Sequence, residues 1–340
     1  MPNHNAQKIL LFAQYLASAP DSCPVAGHWK KIVDPFLHEI KGSAFENTTV
    51  EELFDTWSSL SQEPPIRFGV RSKKLNWRRE KLKFWLHKNK IMPMPKADAE
   101  LFAAVLFLKR HGLFNEYERL RARIGFNHAM PLARHVYYLS LLKKYLSQAR
   151  MRGTGLNILE IGAGSGGFAR MCHEYGMMSE YHIVDLPQIL LSSSITITQS
   201  VKDARLTFHQ TESEEQPSSF HFYPNHNLKA VPRNYFDIVL NFNSFMEMTQ
   251  SARNEYLTEI PFLLKRPGLF MNVNRRQKEM LQEDGSMYDN NPLLYPYQGS
   301  GHVLEWGVDQ MQETIKTNSK KGMFVPSSES FAIIRAEVFR

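Results

Sequence analysis

The sequence predicts a two-lobed α/β protein: a helical lobe over residues 1–152, then an α/β domain over residues 153–340 that closes in an antiparallel hairpin. Three observations predict it. Apolar residues recur at helical spacing before residue 150. After residue 155, short apolar strands alternate with helical stretches, the pattern of a parallel sheet with crossover connections. The charge also divides, with a balance of +11 over residues 1–150 and −4 over residues 151–340. Such asymmetry suggests two lobes with different partners.

In the first lobe, Ala99 to Arg110 is an apolar-rich segment bounded by Pro95 and Gly112. His135 to Ala149 repeats apolar side chains at Tyr138, Leu141, Leu142 and Leu146. Both read as helices. Gly153 and Gly155 frame a linker to the second domain. There, strands are expected at Asn157–Ile161, Tyr181–Asp185, Leu206–Phe208, Phe236–Asn241 and Leu269–Asn274. Helices are expected over Phe168–Tyr175 and Ser251–Leu264. Thr211 to Arg233 is polar and reads as a connection. Met323–Val325 and Phe331–Val338 flank a polar turn at Ser327–Ser330 and read as the closing hairpin.

Composition narrows the function. With 43% hydrophobic and 22% charged residues, the 340-residue chain is neither disordered nor fibrous. Its longest apolar run, Leu101–Leu108, is far short of the roughly 20 residues that span a bilayer. Lys8 followed by Ile9–Ala13 and Ala17-Ser18-Ala19 faintly matches a secretory leader, but Gln14 interrupts the run and an amphipathic helix is the expectation. Two cysteines, Cys23 and Cys172, make no disulfide framework, so a cytoplasmic location with reduced thiols is expected. No compact Asp/His cluster is visible, and no metal is expected.

Chemistry concentrates in Gly162-Ala163-Gly164-Ser165-Gly166-Gly167, a glycine loop between a strand and a helix where backbone can approach a ligand closely. Asp185 ends the next strand, 18 residues beyond Gly167, where a carboxylate can accept both hydroxyls of an adenosine ribose. The letters also fit a dinucleotide fingerprint, so an NAD-linked oxidoreductase stays open on this motif alone.

Glu160-Ile161-Gly162-Ala163-Gly164-Ser165-Gly166 resembles the first motif of the class I S-adenosylmethionine-dependent methyltransferases. Phe236–Val239 is similar to that family's fourth strand, and Leu264–Phe270 to its turn into the fifth. The resemblance covers most of residues 156–340 and implies a Rossmann-like methyltransferase sheet, S-adenosyl-L-methionine as cofactor and methyl transfer as the reaction. It implies that Glu160 suits the cofactor's cationic groups, that Gly162, Gly164 and Gly166 cradle it, and that Asp185 and Leu186 hold the ribose. Thr211 and Glu212, just after the third strand, would border the adenine. Asp185-Leu186-Pro187 looks like a motif of small-molecule O-methyltransferases. Asn241–Met248, with Asn272–Asn274, resembles a bacterial sugar O-methyltransferase family and brings Asn241 to the cofactor.

An acceptor hydroxyl must be aligned with the methyl carbon and benefits from a base. Glu247, after the fourth strand, is the first candidate base; the alternative is that it orients the next helix. His302, between Gly301 and Val303, is the second. Asn274 and Arg275 at a strand end, with Tyr295, Tyr297 and Trp306 in the following segment, are candidate contacts for a sugar-like acceptor, and arginine suits an anionic group. Arg67 to Lys90 holds ten Lys/Arg against Glu80 alone, with Trp77, Phe84 and Trp85 interleaved. It reads as a helix with a solvated basic face and a buried aromatic one. A role with small anionic substrates is the next reading, and nucleic acid, as in a nucleic-acid methyltransferase, the least favoured.

Overall fold

A computed structural model describes residues 5, 8, 9, 11, 12, 15, 81–83, 85–86, 96–124, 129–201, 203–209, 219–281, 287–299, 301–319 and 332–340. The chain forms an eight-stranded sheet built from β1 (Leu156–Ile161), β2 (Met178–Asp185), β3 (Leu206–Phe208), β4 (Phe220–Pro224), β5 (Phe236–Phe242), β6 (Leu264–Arg275), β9 (His302–Val308) and β10 (Ala332–Phe339). Its order is β3-β4-β2-β1-β5-β6-β10-β9. β3 to β6 and the central pair run parallel, and β10 is antiparallel to both neighbours. This is a Rossmann-like sheet with antiparallel C-terminal strands. Chain order reverses between β1 and β5, and such a switch point leaves a crevice at the carboxyl ends of the strands.

β4 stands where the sequence predicts a connection: Phe220-His221-Phe222-Tyr223-Pro224 lies in a polar, proline-containing stretch, yet its apolar rings are buried between β2 and β3. β3 is therefore an edge strand, and β4 is the neighbour of β2. The closing pair also differs from expectation. β10 lies where a strand was expected, but its partners are β6 and β9, while Met323–Val325 lies outside the described residues. A small antiparallel pair, β7 (Gln277–Leu281) and β8 (Met287–Asn290), follows β6.

The described helices before β1 include α1 (Lys96–Arg110), α2 (Phe114–Ile124) and α3 (Ala129–Gln148). They pack on one face of the sheet beside α4 (Gly167–Glu174), α5 (Pro187–Ser200) and α7 (Gln310–Ser319). Phe107, Tyr138 and Leu142 share a single buried cluster with Ile158, Ile183 and Met271, so these helices and the sheet have one continuous core. The amphipathic segment at the start joins that core: Ile9 and Phe12 are buried, and Phe12 stacks on Phe208 at 4.4 Å. The other face is covered by α6 (Gln250–Leu263), whose Leu257 and Ile260 pack on Val239 and Phe270.

Of the basic segment, only residues 81–83 and 85–86 are described; they are helical, and Trp85 is exposed rather than buried. Among the described residues, no helix is long and apolar enough to cross a membrane. Cys172 is a buried free thiol, and Cys23 lies outside the described residues.

Candidate functional site

The site stands at the carboxyl ends of β1, β2, β5 and β6. Gly162, Gly164 and Gly166 all have left-handed backbone, with φ of 75°, 56° and 72°. At Gly162 a second constraint acts, because an added Cβ would lie 2.1 Å from Ser244 Oγ. Ser244 is held there by its own bond to the Ile161 carbonyl at 3.0 Å. The glycine therefore lets the loops after β1 and β5 close on each other.

Asp185 faces this loop. Its Oδ2 accepts the Gly164 N–H at 3.0 Å and its Oδ1 the Leu186 N–H at 2.8 Å. Burial holds its carboxyl up at about 7 despite those two donors, and the nearby Glu247 carboxylate pushes the same way. Glu160 lies beneath the loop, buried, and accepts from Tyr181 Oη at 2.8 Å. Burial raises it too, to about 7.

Asn241 and Asn274 turn into the interior near the ends of β5 and β6. Both are fully buried, in an amide network that also includes Asn272 and Asn290. Asn274 Nδ2 donates to Asn241 Oδ1 at 2.7 Å and to Asn272 Oδ1 at 2.6 Å. The network's acceptors take the backbone N–H groups of Phe245 and Met246, and Asn290 Nδ2 donates to their carbonyls. Interior polar groups of this kind need partners. Here they fix the loop that carries Glu247.

The N-terminal half of α3 brings Arg134, His135 and Tyr138 over this mouth. Tyr138 stacks on Phe242 at 5.0 Å, Phe242 meets Phe168 edge-on at 4.9 Å, and His135 meets Phe168 edge-on at 5.7 Å. Tyr138 Oη donates to Asp309 Oδ2 at 2.8 Å, tying α3 to the end of β9. Burial, and then Arg134, hold His135 neutral, with its pKa lowered to about 3. Burial first, and then the Arg134 charge, lower the Arg275 pKa, and the Glu247 carboxylate opposes that shift.

Among the described residues, four of the buried polar atoms that lack a hydrogen-bond partner stand at this mouth: His135 Nδ1, Gln188 Oε1, Asn243 Oδ1 and Arg275 Nε. Asn243 also has left-handed backbone, with φ 61°. Unmatched polar atoms around a glycine cradle suit a polar ligand. Sequence reasoning missed His135, Gln188 and Asn243. The first sits on a helix that reads as packing, and the others carry no distinguishing spacing.

The remaining expected contacts lie elsewhere. His302 begins β9 opposite Val338, which pairs with Leu269, roughly 17 Å along the strands from Asn274. It is exposed there, and the structure does not bring it to the glycine loop. Tyr295 is buried against Phe245 and Arg253 on the α6 side. Tyr297 accepts from Asn272 at 2.9 Å, and Arg335 lies over both Tyr297 and the exposed Trp306. These aromatic residues form a cluster of tilted and edge-on rings on the flank of the sheet rather than a cover over the mouth. Thr211 and Glu212 lie outside the described residues. The strand beside β2 ends in Pro224, which pairs with Asp185, so Asn225 follows at the position expected for them.

No family model and no curated protein matches the chain. Solved structures with a similar fold include the N-methyltransferase NodS from Bradyrhizobium japonicum WM9 in complex with S-adenosyl-L-homocysteine. It is 13% identical, with a TM-score of 0.41 over 65% of this chain and 97% of that one. The 1,6-didemethyltoxoflavin-N1-methyltransferase of Burkholderia thailandensis, solved with 1,6-didemethyltoxoflavin and S-adenosylhomocysteine, is 15% identical, with a TM-score of 0.40 over 73% and 92%. The [4+2]-cyclase SpnF is also 15% identical, with a TM-score of 0.39 over 59% and 80%. Fold likeness at this level does not assign a reaction.

Proposed function

We propose that the chain is an S-adenosylmethionine-dependent methyltransferase acting on a hydroxyl of a small, sugar-like acceptor that carries an anionic group. The observation that carries the reading is the meeting of Gly164 and Asp185 at the carboxyl ends of β1 and β2, beside the switch point, a cradle with a ribose acceptor at its edge. The cofactor, when bound, supplies an electrophilic methyl carbon on a sulfonium. The chain's own residues then have the tasks of holding, aligning and deprotonating.

Asp185 accepts from the ribose hydroxyls, and the glycine loop gives the close backbone approach. Glu247 takes the acceptor's hydroxyl proton, and the asparagine network beneath it fixes the backbone that carries it. Arg134 and Arg275 are suited to an anionic group on the acceptor. His135, neutral and with Nδ1 unmatched, orients a polar group of the ligand. The sugar-like class is supported by the resemblance over Asn241–Met248.

Calorimetry tests the reading. The protein is expected to bind S-adenosylmethionine and S-adenosylhomocysteine and not NAD. Asp185→Ala should weaken binding by about 1.5–3 kcal/mol, the scale of hydrogen bonds to a charged group. Binding of NAD with no response to either sulfur compound would overturn it.

A further inference from the structure

The sheet face covered by α6 holds a second cluster of chemically capable side chains, away from the glycine loop. Glu180 and His182 alternate on β2, and His221 on β4 lies in register beside His182. Glu180 Oε2 is 3.1 Å from His182 Nε2 and 3.8 Å from His221 Nε2. A ligand atom from each residue lies within 4.8 Å of the others. We propose that Glu180, His182 and His221 bind a divalent transition-metal ion of the Zn²⁺ class.

Spacing is the first argument. Ligand atoms at about 2.0–2.2 Å from a tetrahedral zinc stand roughly 3.3–3.6 Å apart, between the two measured separations. The second argument is the set of outer partners. His182 Nδ1 is 3.1 Å from Tyr223 Oη, and His221 Nδ1 is 3.0 Å from His209 Nε2. Each imidazole is thus anchored through Nδ1 and presents Nε2 towards Glu180. Such anchoring orients metal-ligating histidines and sets their tautomer. His209 is itself held, stacked on Tyr223 at 4.0 Å and 5°.

Access is also present: the side chain of His182 is 2% exposed, but those of His221 and Glu180 are 14% and 28%. His182 and His221 stack at 4.2 Å and 7°, so His221, the more exposed ring, must tilt to converge on the ion. A water completes the four-coordinate shell from the exposed side. An ion held in this way pins β2 to β4, three residues before Asp185, and gives the site a structural role.

The test uses the full chain, stripped with a chelator and titrated with Zn²⁺ by calorimetry. One ion per chain is expected. His221→Ala and Glu180→Gln should each weaken binding at least 100-fold, with circular dichroism confirming the fold. Tyr223→Phe, which removes an outer partner, should cost about 10-fold. X-ray absorption at the zinc edge of the unmodified protein is expected to show two imidazoles with oxygen donors, a readout that survives if a variant fails to fold. No binding by the parent chain overturns the proposal. So does wild-type affinity in His221→Ala, which would place the ion among others of the 13 histidines, or a spectrum without two imidazoles.

Discussion

Two carboxylates on one strand, Glu180 and Asp185, sit in opposite environments. Glu180 is met by His182 and Tyr235, and its proton is held off to about pH 2. Asp185 receives two backbone N–H groups, yet burial keeps its carboxyl up at about 7. The first is a cluster whose polar groups answer one another. The second belongs to a mouth where His135, Gln188, Asn243 and Arg275 each carry a buried polar atom with no hydrogen-bond partner among the described residues. Five residues along a strand change a carboxylate from one whose protein partners favour its charge to one poised for ligand hydroxyls. What differs is supply: side-chain donors around Glu180, desolvation around Asp185.

The largest effect that would break this contrast is catalytic. Glu247→Gln keeps shape but removes the base at the mouth, and turnover should fall about 10²–10⁴-fold while S-adenosylhomocysteine affinity holds. Unchanged turnover would mean that the mouth acts by alignment alone. A smaller effect is structural and separates two glycines of one loop. Gly162→Ala drives a Cβ into Ser244 and should cost about 3 kcal/mol or more in denaturant unfolding. At Gly164 a Cβ meets nothing within 4 Å, so Gly164→Ala should cost about 1 kcal/mol, from its positive φ alone. Equal losses would remove the close approach of the two loops as the reason for Gly162.

The smallest effect is in pH. Asp185 and Glu160 bind protons more tightly folded, at about 7, than at their ordinary 3.8 and 4.5. Their contribution to stability is complete below about pH 4 and is lost as pH rises towards 7. Glu180 runs the other way: its contribution is present above 4.5 and is lost as pH falls towards 2. Melting curves of Asp185→Asn against the parent between pH 5 and 8 should show the parent's decline reduced. Parallel curves would remove Asp185 from the contrast.

Much of the fold was legible because local pattern encodes it. Strands β1 and β5 are rich in apolar residues and buried along nearly their whole length, β2 ends in the apolar pair Ile183-Val184 before Asp185, and the glycine loop needs left-handed backbone that glycine supplies. β4 was not legible, because its alternation of Phe and His hides among polar neighbours and its burial comes only from β2 and β3. The sites divide in the same way. Asp185 was readable from its distance behind the glycines, whereas the Glu180–His182–His221 cluster draws on two strands 39 residues apart and has no spacing to read.

What the sequence determined by itself is therefore the alternation of elements, the glycine turn and the acid that follows it, since each depends on backbone conformation and short-range period. Only the tertiary structure decided that Asn241 and Asn274 face inward to hold a loop, that His302 lies far down the sheet, and that α3 sets Arg134 and His135 over the mouth. The reason is physical. A side chain's role follows from what surrounds it, and in a parallel sheet the surroundings are assembled from strands and helices distant in the chain.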